Sequence, residues 1–233
     1  MKIFCEDKNL IVCLKPRNVI SQLGNGENMI ALLNSHFKEN GEKAEAFPVH
    51  RLDKETAGIM VYAKNSASAA ALSKAIAGNN FRKHYYAVIK GSPDEKSGIM
   101  KDLLFHDKTK NKVFTVDKVR TGVKDASLEY KILEESDGFC LADILLHTGR
   151  THQIRAQFSS RNLPLYGDRK YGGPAGELAL FAYKLEFPDP QTGELFSFSA
   201  LPDTEEAPWC LFKKELKGSM SIVGVKNPEK IKI

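Results

Sequence analysis

Residues 126–147 read ASLEYKILEESDGFCLADILLH, and the arrangement of that stretch decides the fold class. Two apolar runs, 126–134 and 139–147, flank Glu135-Ser136-Asp137-Gly138. An Asp-Gly pair between two such runs predicts a β-hairpin, because both residues tolerate the positive φ that a tight turn needs. The pattern recurs toward the C-terminus, where strands predicted at 178–186 and 194–199 enclose DPQTGE. Working back toward the N-terminus, 83–90 (KHYYAVIK) and 58–63 (GIMVYA) read as strands, as do 2–5 and 10–14.

Helices are predicted at fewer places. Residues 27–38 carry Ile30, Leu33 and Phe37 on one helical face, with Asn25 as the cap. An alanine-rich helix runs from Asn65 or Ser66 to about Gly78. Residues 150–161 fit a short helix through Ile154 and Phe158, and 207–216 a closing one. The stretch 91–124 is lysine-rich with little periodicity and reads as loops and short strands. Hairpins outnumber strand–helix–strand crossovers, so the expected class is α+β, a mostly antiparallel sheet with flanking helices.

Composition excludes several classes. Among 233 residues, 42% are hydrophobic and 27% charged, as in an ordinary globular protein. No apolar run approaches the roughly 20 residues that span a bilayer, and the opening MKIFCEDKNLIVCLKP is broken by charges, unlike a signal peptide. A cytoplasmic protein without membrane association is expected. The four cysteines (Cys5, Cys13, Cys140, Cys210) form no CxxC pair and suggest neither a disulfide framework nor a zinc site. The formal net charge is +5, but residues 148–172 and 213–233 each carry a local +4, so the remainder is slightly acidic. Basic segments on a near-neutral body suit a polyanion such as RNA, or a solvated face and a lysine-rich tail.

Three segments concentrate functional side chains: HRLDKETAG at 50–58, KHYYA at 83–87 and TGRTHQIR at 148–155. Asp53 stands in a polar turn before an apolar strand, where an aspartate can equally be a turn residue. His152 and Arg155 share a face if 151–158 is helical. An arginine there can meet a carboxylate bidentately and hold it ionised. His50, Asp53 and His152 can be imagined as metal ligands of a nuclease, but HxxD plus a distant histidine is a weak ligand pattern, and no metal is expected.

The strings HRLDKETAG, KHYYAVIKG and LHTGRTHQIRAQF…LPLYGDRKYGG, with the earlier LIVCLKPRNVIS, resemble the motifs of the RluA-type pseudouridine synthase family in order and spacing, from about residue 8 to about residue 200. The resemblance implies a twisted, mainly antiparallel sheet that isomerises uridine to pseudouridine in a structured RNA, ribosomal or transfer, without a cofactor. It implies that Asp53 is the catalytic aspartate, that Tyr85 contacts the target base and that Arg155 pairs with Asp53. Arg51 would enter the stack where the uridine leaves it. His50, Arg150, Thr151, His152, Gln153 and Lys170 are the further expected RNA contacts, His152 also ordering the turn after Gly149.

Two departures are visible. Asn18 stands where the family has glycine, and asparagine tolerates φ > 0. Thr56-Ala57-Gly58 replaces the common TSG. The expected organisation is a catalytic domain over 1–212 and a basic tail over 213–233, with no separate N-terminal RNA-binding domain, in a monomeric protein. A catalytically silent RNA-binding protein on the same fold is the competing reading.

Overall fold

The structure is a computed structural model that describes residues 1–220; the expected tail beyond that point lies outside the described residues. It is α+β, and every strand pair of known register is antiparallel. The described residues form two compact units, 1–82 with 182–200, and 83–181 with 201–220.

In the first unit the strands are β1 (Ile3–Glu6), β2 (Leu10–Lys15), β3 (Phe47–Pro48) and β4 (Ala57–Ala63). From the later segment it takes most of β10 (Leu180–Pro188) and all of β11 (Leu195–Ser199). Their order is β1-β2-β4-β10, with β3 on β4 and β11 on β10. Helix α1 (Met29–Glu39) buries Met29, Ile30, Leu33 and Phe37, the predicted face. Its cap is Asn28 rather than Asn25: the Asn28 side chain accepts from Ala31 N, and an Ile20–Asn28 bridge fixes that residue. Helix α2 (Ser66–Ala77) is capped by Asn65, as the sequence predicts. Phe81, Phe187 and Phe198 stack in series, with ring centroids 5.6 and 6.0 Å apart.

The second unit contains β5 (Arg82–Lys90, from Lys83 onward), β6 (Ser97–Asp107), β7 (Lys112–Val116), β8 (Val123–Ser136) and β9 (Phe139–Leu146), in the order β5-β9-β8-β6-β7. The predicted hairpin is present, with Asp137 and Gly138 at φ 51° and 76°. The stretch 91–124 is more regular than its sequence suggests, because β6 pairs with β8 over residues 97–105 and with β7 over residues 103–107. Helix α3 (Gln153–Ser159) is shorter than 150–161, since His152 adopts a left-handed backbone (φ 48°, ψ 24°) and cannot extend it. Phe158 packs edge-on to Tyr130 at 5.7 Å. Residues 209–212 form a 3₁₀ turn leading into α4 (Lys213–Met220), so the first residues of the expected tail are helical and Leu216 is buried.

Candidate active site

Asp53 sits on a turn that β2 and β4 hold from below. The register runs from Leu10↔Ala63 to Lys15↔Gly58, bringing the chain leaving β2 beside the chain entering β4. The turn closes by Thr56 N–H donating to Asp53 O at 3.0 Å. Segment 15–21 then pins it at several points. Asn18 N donates to Lys54 O at 2.8 Å and Ser21 Oγ donates to Leu52 O at 2.9 Å. Tyr62 Oη donates to Ser21 O at 2.9 Å. Asn18 takes φ 65°, the conformation expected of an asparagine in a glycine's place.

Lys15, the lysine of LIVCLKPRNVIS, is central here. Its side chain is fully buried, and its ammonium donates to Pro16 O (2.8 Å), Val19 O (2.7 Å) and Lys54 O (3.1 Å). Three donors meet three carbonyls, so the charge is buried with its hydrogen bonds satisfied. Burial pushes its pKa down to about 8, and the negative charge of Asp53 partly offsets that. A lysine ending an apolar run ordinarily reaches water, so nothing in the string LIVCLK marked it.

Arg51 is exposed and Asp53 part-buried. His50 accepts a hydrogen bond from Val61 N at Nε2 (3.1 Å) and packs edge-on to Phe81. That bond requires a neutral Nε2 lone pair and ties the ring to β4. Among the described residues no group of three His, Cys, Asp or Glu side chains is placed to hold a metal ion.

In the second unit, Tyr85 and Tyr86 alternate to opposite faces of β5 and are 5% and 3% exposed. Lys83 is largely withdrawn from water. Burial and the charge of Arg150 lower its pKa, and Gly149 leaves room for its Nζ, which a Cβ there would approach to 2.9 Å. Arg155 is gripped by Asp168, with Nε donating to Oδ2 at 2.7 Å and Nη2 to Oδ1 at 2.8 Å. Asp168 lies in the LPLYGDRKYGG string, whose lettering does not show this pairing. The guanidinium also lies 5.3 Å from the Tyr171 ring centroid.

The other residues of that segment divide. His152 Nδ1 lies 3.0 Å from Tyr171 Oη, and Tyr171 Oη accepts from Val113 N at 2.8 Å. Gln153 is buried; its Oε1 accepts from Thr148 Oγ1 and Arg150 N, and its Nε2 donates to Ser127 O. Its amide is thus occupied in ordering the turn. Thr151 is half-buried, whereas Arg150 and Lys170 are exposed, resting on Asp125 O and Asn111 O respectively.

A family model described as RNA pseudouridylate synthase matches residues 9–160. The chain belongs to the RNA pseudouridylate synthase family. Ribosomal large subunit pseudouridine synthase D of Borreliella burgdorferi is 34% identical over 197 residues, covering 79% of this chain and 60% of that protein. The protein of the same name in Vibrio cholerae is 34% identical over 224 residues, covering 87% and 68%. The solved structure of human RNA pseudouridylate synthase domain containing 4 superposes with a TM-score of 0.73 at 25% identity, covering 87% of this chain and 89% of that one. The chain spans less than two thirds of the length of several curated relatives, 60% for the Borreliella protein and 62% for that of Nitrosomonas europaea. The pseudouridylate synthase match includes Asp53, Tyr85 and Arg155 and ends before Asp168.

Proposed function

We propose that this chain isomerises uridine to pseudouridine in a structured RNA, with Asp53 as its catalytic carboxylate. The observation that carries the reading is the fixing of the Asp53 turn by segment 15–21, which holds a part-buried acid at a defined place within a family-matched segment. A turn aspartate serving only structure would not need a buried ammonium and three further bonds beneath it.

The reaction breaks the bond from ribose to a uracil nitrogen and forms one to a ring carbon. Nothing is exchanged with solvent except a proton, so the chemistry calls for a carboxylate rather than a redox group. An ionised Asp53 attacks the sugar or takes a proton from it while uracil departs as an anion. Arg155 is assigned to pair with Asp53, keeping it ionised under RNA. Tyr85 is assigned to the target base, and Arg51, exposed on the same segment as Asp53, to the vacancy left when the uridine flips. Ribosomal RNA is the first substrate to test, after the names of the relatives.

The test uses large-subunit ribosomal RNA and transfer RNA tritiated at carbon 5 of uracil. Label release is expected from the parent protein without added metal, and none from Asp53→Asn or Asp53→Ala. Release that persists in both variants overturns the assignment. RNA binding without release by the parent would instead favour a silent RNA-binding protein.

A further inference from the structure

The β6–β7 hairpin carries a basic, aromatic surface that the proposed chemistry does not use. Residues 108–124 hold Lys108, Lys110, Lys112, Lys118, Arg120 and Lys124 against Asp117 alone, a net of +5 within a chain whose total is +5. A solvated face ordinarily mixes both signs. Here cations outnumber acids, with Asp107 opposite Lys112 and Asp125 opposite Leu103 as acids bordering the same face.

Strand alternation gives this hairpin two different faces. Val113 and Leu104 point inward, each 3% exposed, clustered with Ala126, Ala156 and Tyr171. Phe114 is one residue on, so it points the other way and is 38% exposed. Its cross-strand partner is Phe105, which pairs in turn with Val123, making an outward row across three strands. Cations sit on this row. Lys110 and Lys112 Nζ lie 6.0 and 5.6 Å from the Phe114 ring centroid, and the Arg120 guanidinium lies 4.6 Å from that of Phe105. Beyond it, Val119 is 80% exposed.

We propose that this outward face is a second RNA contact, binding an unpaired segment of the substrate away from the target uridine. Lysines and Arg120 meet successive phosphates, and Phe114 offers its ring to one base once Lys110 swings onto the backbone. Aromatic rings interleaved with cations are what sequence-tolerant single-strand binding requires, because every base has a π-face and every nucleotide a phosphate. An acidic protein would satisfy the charges but has no use for the exposed ring. The proposal rests on RNA being the substrate class.

The experiment measures anisotropy of a fluorescein-labelled unstructured RNA of about 12 nucleotides, titrated with the full chain at several salt concentrations. Phe114→Leu keeps apolar bulk but loses the ring, and should weaken binding about fivefold or more, with Phe114→Trp restoring it. Lys110→Gln with Lys118→Gln should make the salt dependence shallower by about 1.4 in log–log slope, two phosphate contacts' worth on a single strand. The control, Lys43→Gln with Lys74→Gln, alters two exposed lysines of the first unit and should change neither quantity. Unchanged affinity in both hairpin variants overturns the proposal. So does an equal loss in the control, or polyglutamate competing as well as RNA. Failure of the isomerase reading is seen separately, as absent tritium release by the parent.

Discussion

Arg155 and Asp168 form a two-pronged ion pair from which water is excluded, their side chains 3% and 0% exposed. The prongs use Nε and Nη2, which fixes the plane of the guanidinium and therefore the direction of Nη1. Asp168 is itself held, its carbonyl accepting from Tyr171 N and Gly173 N. A Cβ on Gly173 would come within 2.0 Å of Leu165 O, so the loop closes tightly enough to keep the carboxylate still. Asp168 thus sets the orientation of the Arg155 guanidinium.

Asp168→Asn should therefore be costly on two counts. It leaves a buried guanidinium without a countercharge, worth about 3–5 kcal/mol of stability. Urea unfolding followed by circular dichroism measures that loss. At a temperature where the variant remains folded, tritium release should also fall, by about 100-fold for an ångström of misplacement. Parent-like stability would contradict a buried guanidinium that depends on Asp168 for its countercharge.

Lys15 gives a pH dependence of definite sign. Its folded pKa of about 8 lies below the ordinary 10.5, so between those values the unfolded chain binds more protons than the folded one. Its contribution to stability is therefore poorest below about pH 8 and improves as pH rises toward 10.5, by about 3 kcal/mol in total. Comparing the parent with Lys15→Met across that window isolates the effect from other groups: the parent should gain on the variant as pH rises. A gap independent of pH would contradict the burial of a charged ammonium.

Gly58, the second residue of β4, takes φ 141°, and a Cβ there would stand 2.5 Å from both the backbone N and O of Ala182. Gly58→Ala should thus destabilise by on the order of 4 kcal/mol or more, beyond the usual range for surface changes. Thermal unfolding would register it as a large drop in Tm.

Tyr171→Phe removes one oxygen and two partners. Val113 N–H would lose its acceptor and the His152 ring its neighbour, at about 1–3 kcal/mol. Hydrogen exchange at Val113 reports this directly, and should accelerate while exchange in β9 stays slow.

Much of this arrangement was legible because it is local. Asp137-Gly138 makes a turn through its own φ preferences, and Asn65 caps α2 through a bond three residues on. Ile30, Leu33 and Phe37 mark the buried face of α1 by spacing alone. What escaped depends on partners far along the chain. Asn25 and Asn28 are equivalent as letters, and only the bridge to Ile20 selects Asn28. The stretch 91–124 shows little periodicity as letters because Phe105 and Phe114 occupy the outer face, where alternation leads one to expect polar residues. Lys15 and Asp168 fall within quoted strings, but their burial is not legible there, because a charge is solvent-facing by default and only its carbonyls or its arginine show otherwise. His152 carries no helix-breaking signature, and its backbone answers to the Tyr171 hydroxyl and the turn before it.

The strand β7 ends its sheet among the described residues, and such a margin is a template for another molecule's backbone. Tyr171 occupies the N–H of Val113 on that margin, and Lys110 and Lys112 surround it with charge. The cations that would greet RNA thus also discourage edge-to-edge pairing of one copy with the next. Neutralising them to weaken RNA binding would at the same time bring the protein closer to aggregation, which sets how far this surface can lose charge and stay in solution.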